Sequence, residues 1–138
     1  MRVLCDFKQN PRYRDEMEAI LQTSYSSLAH TWIASVDEDG NMLAGMIYSH
    51  FQEKSCNMSV VVKDPRGVQR HVLEKIFAYP FLQCGLRRVT GVIRESNQRS
   101  LNFALALGYT VEAKLKHWYA DEDGVQVVML REDCKWLR

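Results

Sequence analysis

The chain has 138 residues, 46% hydrophobic and 25% charged, with a formal net charge of +1 at pH 7. That length suits a single domain, 1–138, with a buried core, and the near-zero charge gives no field for gathering nucleic acid, so DNA and RNA binding are disfavoured. There is no run of about eighteen apolar residues and no secretory apolar run at the start, so a soluble cytoplasmic protein with no membrane partner is expected.

Along the chain, residues 1–7 are compatible with a short strand. Asn10-Pro11 reads as a helix start, an N-cap followed by proline at the first helical position. Tyr13, Met17, Ile20, Leu21 and Tyr25 then supply an apolar face, with Arg12, Arg14, Asp15, Glu16 and Glu18 outward, and Ser24, Ser26 and Ser27 close the helix. Residues 32–36 and 42–49 are apolar runs joined by Asp37-Glu38-Asp39-Gly40-Asn41, a polar connector whose glycine suits a hairpin. After a polar link over 50–56, residues 57–63 make a third strand, ended by Pro65, which cannot donate to a ladder.

Residues 66–79 predict a second long helix, with Val68, Val72, Leu73, Ile76 and Phe77 on one stripe and Pro80 ending or kinking it. Residues 86–94 form the next strand. A strand, a helix and this strand make a crossover unit, so 57–63 and 87–94 are expected as parallel neighbours.

Residues 95–109 combine a polar helix start, an apolar-faced helix and a glycine stop. Ser96 and Asn97 both suit the N-cap, because a short polar side chain accepts from a free amide of the first turn. Leu101, Ala104, Leu105 and Gly108 follow helical spacing, Gly108 suits a left-handed stop, and Tyr109 opens a strand over 109–119. Residues 120–124 turn into a last strand over 125–131, where Val127 and Met129 against Val128 and Leu130 give no clean alternation, which suits a strand covered on both faces. Successive antiparallel strands followed by alternating helices and strands make an α+β pattern.

The order strand, Asn-initiated helix and Leu107-Gly108-Tyr109, followed by Val111-Glu112-Ala113-Lys114, resembles the C-terminal half of the GNAT acyl-CoA N-acyltransferase superfamily. Asp133-Cys134-Lys135-Trp136-Leu137 is similar to the ending of its compact phage- and bacterial-type members, with Trp136 and Leu137 packed on the body as a structural tail. The resemblance implies a mixed, strongly twisted sheet of six or seven strands flanked by helices. It also implies transfer of an acetyl group from acetyl-CoA to a primary amine by direct attack in a ternary complex. The acceptor, a small molecule or a protein, stays open, as does a monomer or homodimer.

Carried onto this chain, the resemblance places the pantetheine arm beside Val60, Val61 and Val62. It places the pyrophosphate at the turn Arg66, Gly67, Val68, Gln69, Arg70 and His71, where a helix start and its dipole favour anions. Arg66 matches the family's first position there, while Gln69 and His71 stand where the family has small residues. Asn97 matches the asparagine that reaches pantetheine, and Phe103 flanks the thiol end; a simple cap and simple packing explain both equally well.

The family's general-acid tyrosine, seven residues after that asparagine, falls on Ala104. Tyr109 and Tyr119 are the substitute acids, and Glu53, with His50, is the base candidate on the loop before the third strand. Without a matching tyrosine, the alternative is a catalytically inactive fold member that holds acyl-CoA or a protein. The scattered cysteines Cys5, Cys56, Cys84 and Cys134 form no C-x-x-C pair, and His30, His50, His71 and His117 lack paired ligand spacing, so no metal site and reduced thiols are expected.

Overall fold

The computed structural model describes residues 2–5, 11–25 and 29–137, so Asn10, Ser26, Ser27 and residues 1, 6 and 7 of the expected first strand lie outside the described residues. Seven strands, β1 (Arg2–Cys5), β2 (His30–Val36), β3 (Met42–Ser49), β4 (Ser55–Val62), β5 (Arg88–Arg94), β6 (Thr110–Leu115) and β7 (Gly124–Leu130), accompany three α-helices, α1 (Pro11–Leu21), α2 (Arg70–Ala78) and α3 (Gln98–Leu107). The sheet runs β1-β2-β3-β4-β5-β7-β6. Among the described residues, β4 and β5 pair in parallel and the other neighbours are antiparallel. The expected α+β architecture and the crossover through α2 are both present.

The β2–β3 hairpin forms as its residues demand. Asp37 accepts from the amides of Asp39 and Asn41, each at 2.9 Å, and Gly40 takes φ +84°. On one face of the sheet α1 buries Tyr13 and Met17 against Trp32, Ala34, Ile47 and Val61. Gly45 permits this approach: a Cβ there would lie 2.6 Å from the Met17 thioether. Ile20, expected on the same face, is exposed, whereas Tyr25 reaches the cluster from beyond the helix end.

The opposite face carries α2 and α3 over Tyr48, Met46, Val89, Val127 and Met129. The helix expected over 66–79 is broken, which corrects that reading. A short 3-10 turn, Pro65–Val68, is capped by Asp64, Gln69 is extended with ψ 162°, and α2 starts at Arg70. Gly67 sets the break, because it lies against the sheet where a Cβ would come within 2.8 Å of Leu43 and Ser35.

Beyond Ala78 the chain widens into a π turn, Tyr79–Gln83, closed by the Cys84 amide on the Tyr79 carbonyl at 3.0 Å. Pro80 has no amide to offer the Ile76 carbonyl, and the Tyr48 hydroxyl donates to that carbonyl instead, at 2.7 Å.

In α3 the buried residues are Ala104 and Leu107, with Leu101 partly buried, while Leu105 is exposed. Gly108 ends the helix at φ +115°. The strand expected over 109–119 is shorter: β6 stops at Leu115, Glu112 bulges out of register, and His117 turns the chain at φ +57°. Trp136 donates to the Leu107 carbonyl at 2.9 Å and, with Leu137, packs on the core as expected. Among the described residues, no helix is long and apolar enough to cross a membrane.

Candidate functional site

Two parallel strands that start together and then separate create the site. β4 and β5 pair only at Ser55–Arg88, Cys56–Val89 and Asn57–Thr90, although β4 continues to Val62 and β5 to Arg94. A gap therefore opens at the ends of both strands. The chain leaves β4 into the turn before α2 and leaves β5 into α3, so both helix starts border the open end.

Strand alternation determines which backbone groups face this gap. The Lys63 amide donates to Leu43 on β3 at 2.8 Å, so odd-numbered β4 residues present their backbone to β3 and even-numbered ones face β5. The Thr90 hydroxyl on the Cys56 carbonyl agrees with that assignment. By the same alternation, Glu95 donates to Asp123 and Arg131 to the Arg87 carbonyl, so Thr90, Val92 and Arg94 face β4. Val60 and Val62 thus offer backbone donors and acceptors to the gap. Val61, expected to join them, pairs with Gly45 on β3 and buries its side chain against the α1 face.

At the expected phosphate turn, the exposed Arg66 is forked onto Asp64. Asp64 accepts from its amide at 2.9 Å and from Nε and an Nη at 3.1 and 2.9 Å, and this fork holds the Asp64 carboxyl below the usual carboxylate range. Arg70 pairs with Glu74 at 3.2 Å and lies over the Trp136 ring at 5.6 Å. Gly67 is buried, its amide donating to Asp64 and its carbonyl accepting from Ser35, so its smallness serves packing on β3 rather than phosphate approach. Val68 is an apolar contact of the core. Gln69 and His71 are exposed, and among the described residues Gln69 makes no side-chain cap. The amides of Arg70 and His71, the first two helical residues, are those a helix start leaves without an intrahelical acceptor.

Across the gap, Asn97 caps α3, its side-chain oxygen accepting from the Ser100 amide at 3.2 Å. Phe103 is partly buried against the core, and Ala104 is buried, so α3 offers no hydroxyl at that position.

The substitute acids part company. Tyr109 is only 5% exposed and packs against Phe77 in the α2-side core, where burial pushes its phenol far up. Tyr119, in the β6–β7 loop, donates to the Val92 carbonyl at 3.4 Å. Arg94 lies 4.2 Å over its ring and pairs with Asp121 at 2.7 Å and Glu122 at 3.3 Å. Glu122 also accepts from the Ser96 amide and hydroxyl, at 2.8 and 2.9 Å, and these bonds hold its carboxyl below the ordinary value.

Glu53 stands at the other end of β4 from the open gap. It is exposed in the β3–β4 link, at the end that the Arg87 amide closes onto the Lys54 carbonyl. From Ser55, where β4 begins, to Ser59 is four strand steps, roughly 13 Å at the usual rise, and Glu53 lies beyond that end of the strand. His50, beside Ser49 at 3.0 Å, shares that end.

Near the open gap on the α1 face stand residues the sequence reading left out of the site. The Tyr25 hydroxyl lies 2.7 Å from Ser59 Oγ, and Asn57 donates to the same oxygen at 3.4 Å. The available signal was the period-two placing of Asn57 and Ser59 between the apolar positions of β4, polar side chains on one face of a central strand. Among the described residues, no group of three or more His, Cys, Asp or Glu is placed to hold a metal ion.

No protein-family model matches the sequence. No curated protein matches it either. Solved structures do. A chimera of the Vibrio cholerae spermidine N-acetyltransferase SpeG with hSSAT superposes with a TM-score of 0.76 at 12% identity, covering 100% of both chains. Mutant forms of the spermidine/spermine N-acetyltransferase SpeG from Vibrio cholerae give 0.72 at 11% identity over 95% of each chain. A ribosomal-protein-S5-alanine acetyltransferase from Vibrio fischeri gives 0.64 at 16% identity, over 89% of this chain and 73% of that one. With its seven-stranded mixed sheet parted between two parallel strands, the chain has the fold of the GNAT superfamily.

Proposed function

We propose that this chain transfers an acetyl group from acetyl-CoA to a primary amine, by direct attack of the amine in a ternary complex. The observation that carries the reading is the parting of β4 from β5, which leaves the backbone groups of Val60 and Val62 presented to an open gap. A pantetheine arm has amide donors and acceptors of its own and fits there as an added strand. The amides of Arg70 and His71 are the groups that would take the pyrophosphate, with the α2 dipole favouring it. Asn97 borders the arm from the start of α3. The amine then approaches from the α1 face, past Tyr25, Asn57 and Ser59. Acetyl-CoA is a co-substrate in this reading, and a chain of this fold has neighbours named for acetylating spermidine and an alanine of a ribosomal protein, both amine acceptors.

A second reading, a non-catalytic acyl-CoA-binding module, has one observation in its favour: the α3 position that carries the family's acid is a buried alanine. Incubation with acetyl-CoA and a panel of amines, including spermidine and a peptide with N-terminal alanine, separates the two. The enzyme reading expects an acetylated product by mass spectrometry together with free CoA. The binding module expects acetyl-CoA-dependent stabilisation and no product from any amine.

A further inference from the structure

We propose that Tyr119 protonates the leaving thiolate, acting from the β6–β7 loop on the α1 face in place of the hydroxyl that α3 lacks. The inference rests on the acetyltransferase reading and names the acid of that same site.

The Tyr119 hydroxyl meets the wall of the gap. Its acceptor, the Val92 carbonyl, belongs to the set of β5 backbone groups that face β4, and it lies two residues past Thr90, the last paired position. At 3.4 Å that bond is long for a hydroxyl donor, whose usual distance is about 2.7–2.8 Å, so its proton can turn to a stronger acceptor.

The ring is held in place from several sides. Arg94 lies over it at 4.2 Å, and Arg94 is itself fixed by Asp121 and Glu122. Glu122 is tied through Ser96 to the start of α3, so the loop is anchored to β5 and to α3. The groups facing the phenol are Arg94 from β5, Glu122 from its own loop and Tyr25 from the α1–β2 connection. Burial first, then Glu122 and Tyr25, raise its pKa against the opposing pull of Arg94, so it carries its proton at neutral pH.

The step balances without an added reactant. The neutral amine nitrogen attacks the thioester carbonyl carbon, the C–N bond forms, and the C–S bond breaks with its electron pair going to sulfur. Tyr119 gives its phenolic proton to that sulfur, producing the CoA thiol. The proton that nitrogen sheds returns to the phenolate, leaving an N-acetylated amine and an unchanged enzyme.

CoA itself is the probe. Wild type, Tyr119→Phe and Tyr25→Phe are saturated with CoA, and the thiolate absorbance is followed against pH, with the same protein saturated with desulfo-CoA as blank. Phenylalanine keeps a ring beneath Arg94, and an unchanged melting temperature verifies the fold. A hydroxyl donating to the thiolate lowers the bound thiol's pKa. The Tyr119→Phe complex should therefore show about tenfold less thiolate at a given pH, near one pKa unit. Tyr25→Phe should shift the thiol far less than Tyr119→Phe. Identical titrations for wild type and Tyr119→Phe overturn the assignment, as does a shift confined to Tyr25→Phe. Failure of wild type to bind CoA at all removes the acetyltransferase reading as well, whereas CoA binding with no shift removes only the role of Tyr119.

Discussion

The Tyr48 hydroxyl donates to the Ile76 carbonyl at 2.7 Å, across from β3 to α2, at the carbonyl that Pro80 has no amide to serve. Proline thus opens the helix into its π turn, and a tyrosine on the third strand from the sheet edge satisfies the acceptor that is freed. Tyr48→Phe should leave that buried carbonyl without its donor and lower unfolding stability by about 1–3 kcal/mol, read from urea denaturation. A change under about 0.5 kcal/mol would mean that the carbonyl finds another donor.

Gly67 carries the turn before α2 onto the sheet. A methyl group there would lie 2.8 Å from Leu43 Cβ and from Ser35 Oγ, and 2.9 Å from Ala44 Cβ, all on packed strands. Gly67→Ala should cost about 1–3 kcal/mol as overpacking. It should also weaken acetyl-CoA binding, because the start of α2 has to move off β3. Unchanged stability and affinity would show that β2 and β3 yield easily.

Gln69 and His71 stand where the GNAT resemblance expects small residues, yet both side chains are exposed. The donors proposed for the phosphates are backbone amides, which do not depend on side-chain identity. The double change Gln69→Gly and His71→Ala should therefore shift acetyl-CoA affinity by less than about tenfold, or 1.4 kcal/mol, in a calorimetric titration. A much larger gain would show that these side chains obstruct the turn and would favour the non-catalytic reading.

Asn97 accepts from the Ser100 amide as the cap of α3. Asn97→Ala should cost about 1 kcal/mol for that lost cap. Contact with the pantetheine arm adds a loss of acetyl-CoA affinity beyond what the destabilisation accounts for. Affinity that follows stability alone reduces Asn97 to a cap.

Local chemistry explains which parts of this architecture the sequence displayed. The 42–49 strand has the bounds read from it, because a polar, Gly-containing turn precedes it and its apolar run is continuous. The Asn97 cap and the Gly108 stop are also local and were visible. The break at Gln69 was hidden because Val68, Val72, Leu73, Ile76 and Phe77 keep one apolar stripe across it; its cause, Gly67 against Leu43 and Ser35, is a contact between distant segments. Tyr109 and Tyr119 looked alike on one expected strand. The early end of β6 separates them, burying the first and placing the second in a loop beside β5. Tyr25 and Ser59 are 34 residues apart, so their 2.7 Å contact left no mark in any local pattern.

The most direct test of the central claim, that the gap between β4 and β5 is an acyl-CoA site, is thermal unfolding of the wild-type protein with and without acetyl-CoA. A ligand bound only by the native state at a hundredfold excess over its dissociation constant stabilises by about 2.7 kcal/mol, on the order of 5–10 °C for a chain of this size. The account predicts a saturable rise of that order with acetyl-CoA and with CoA. No rise at large excess of either would contradict it, leaving the fold without the ligand assigned to it here.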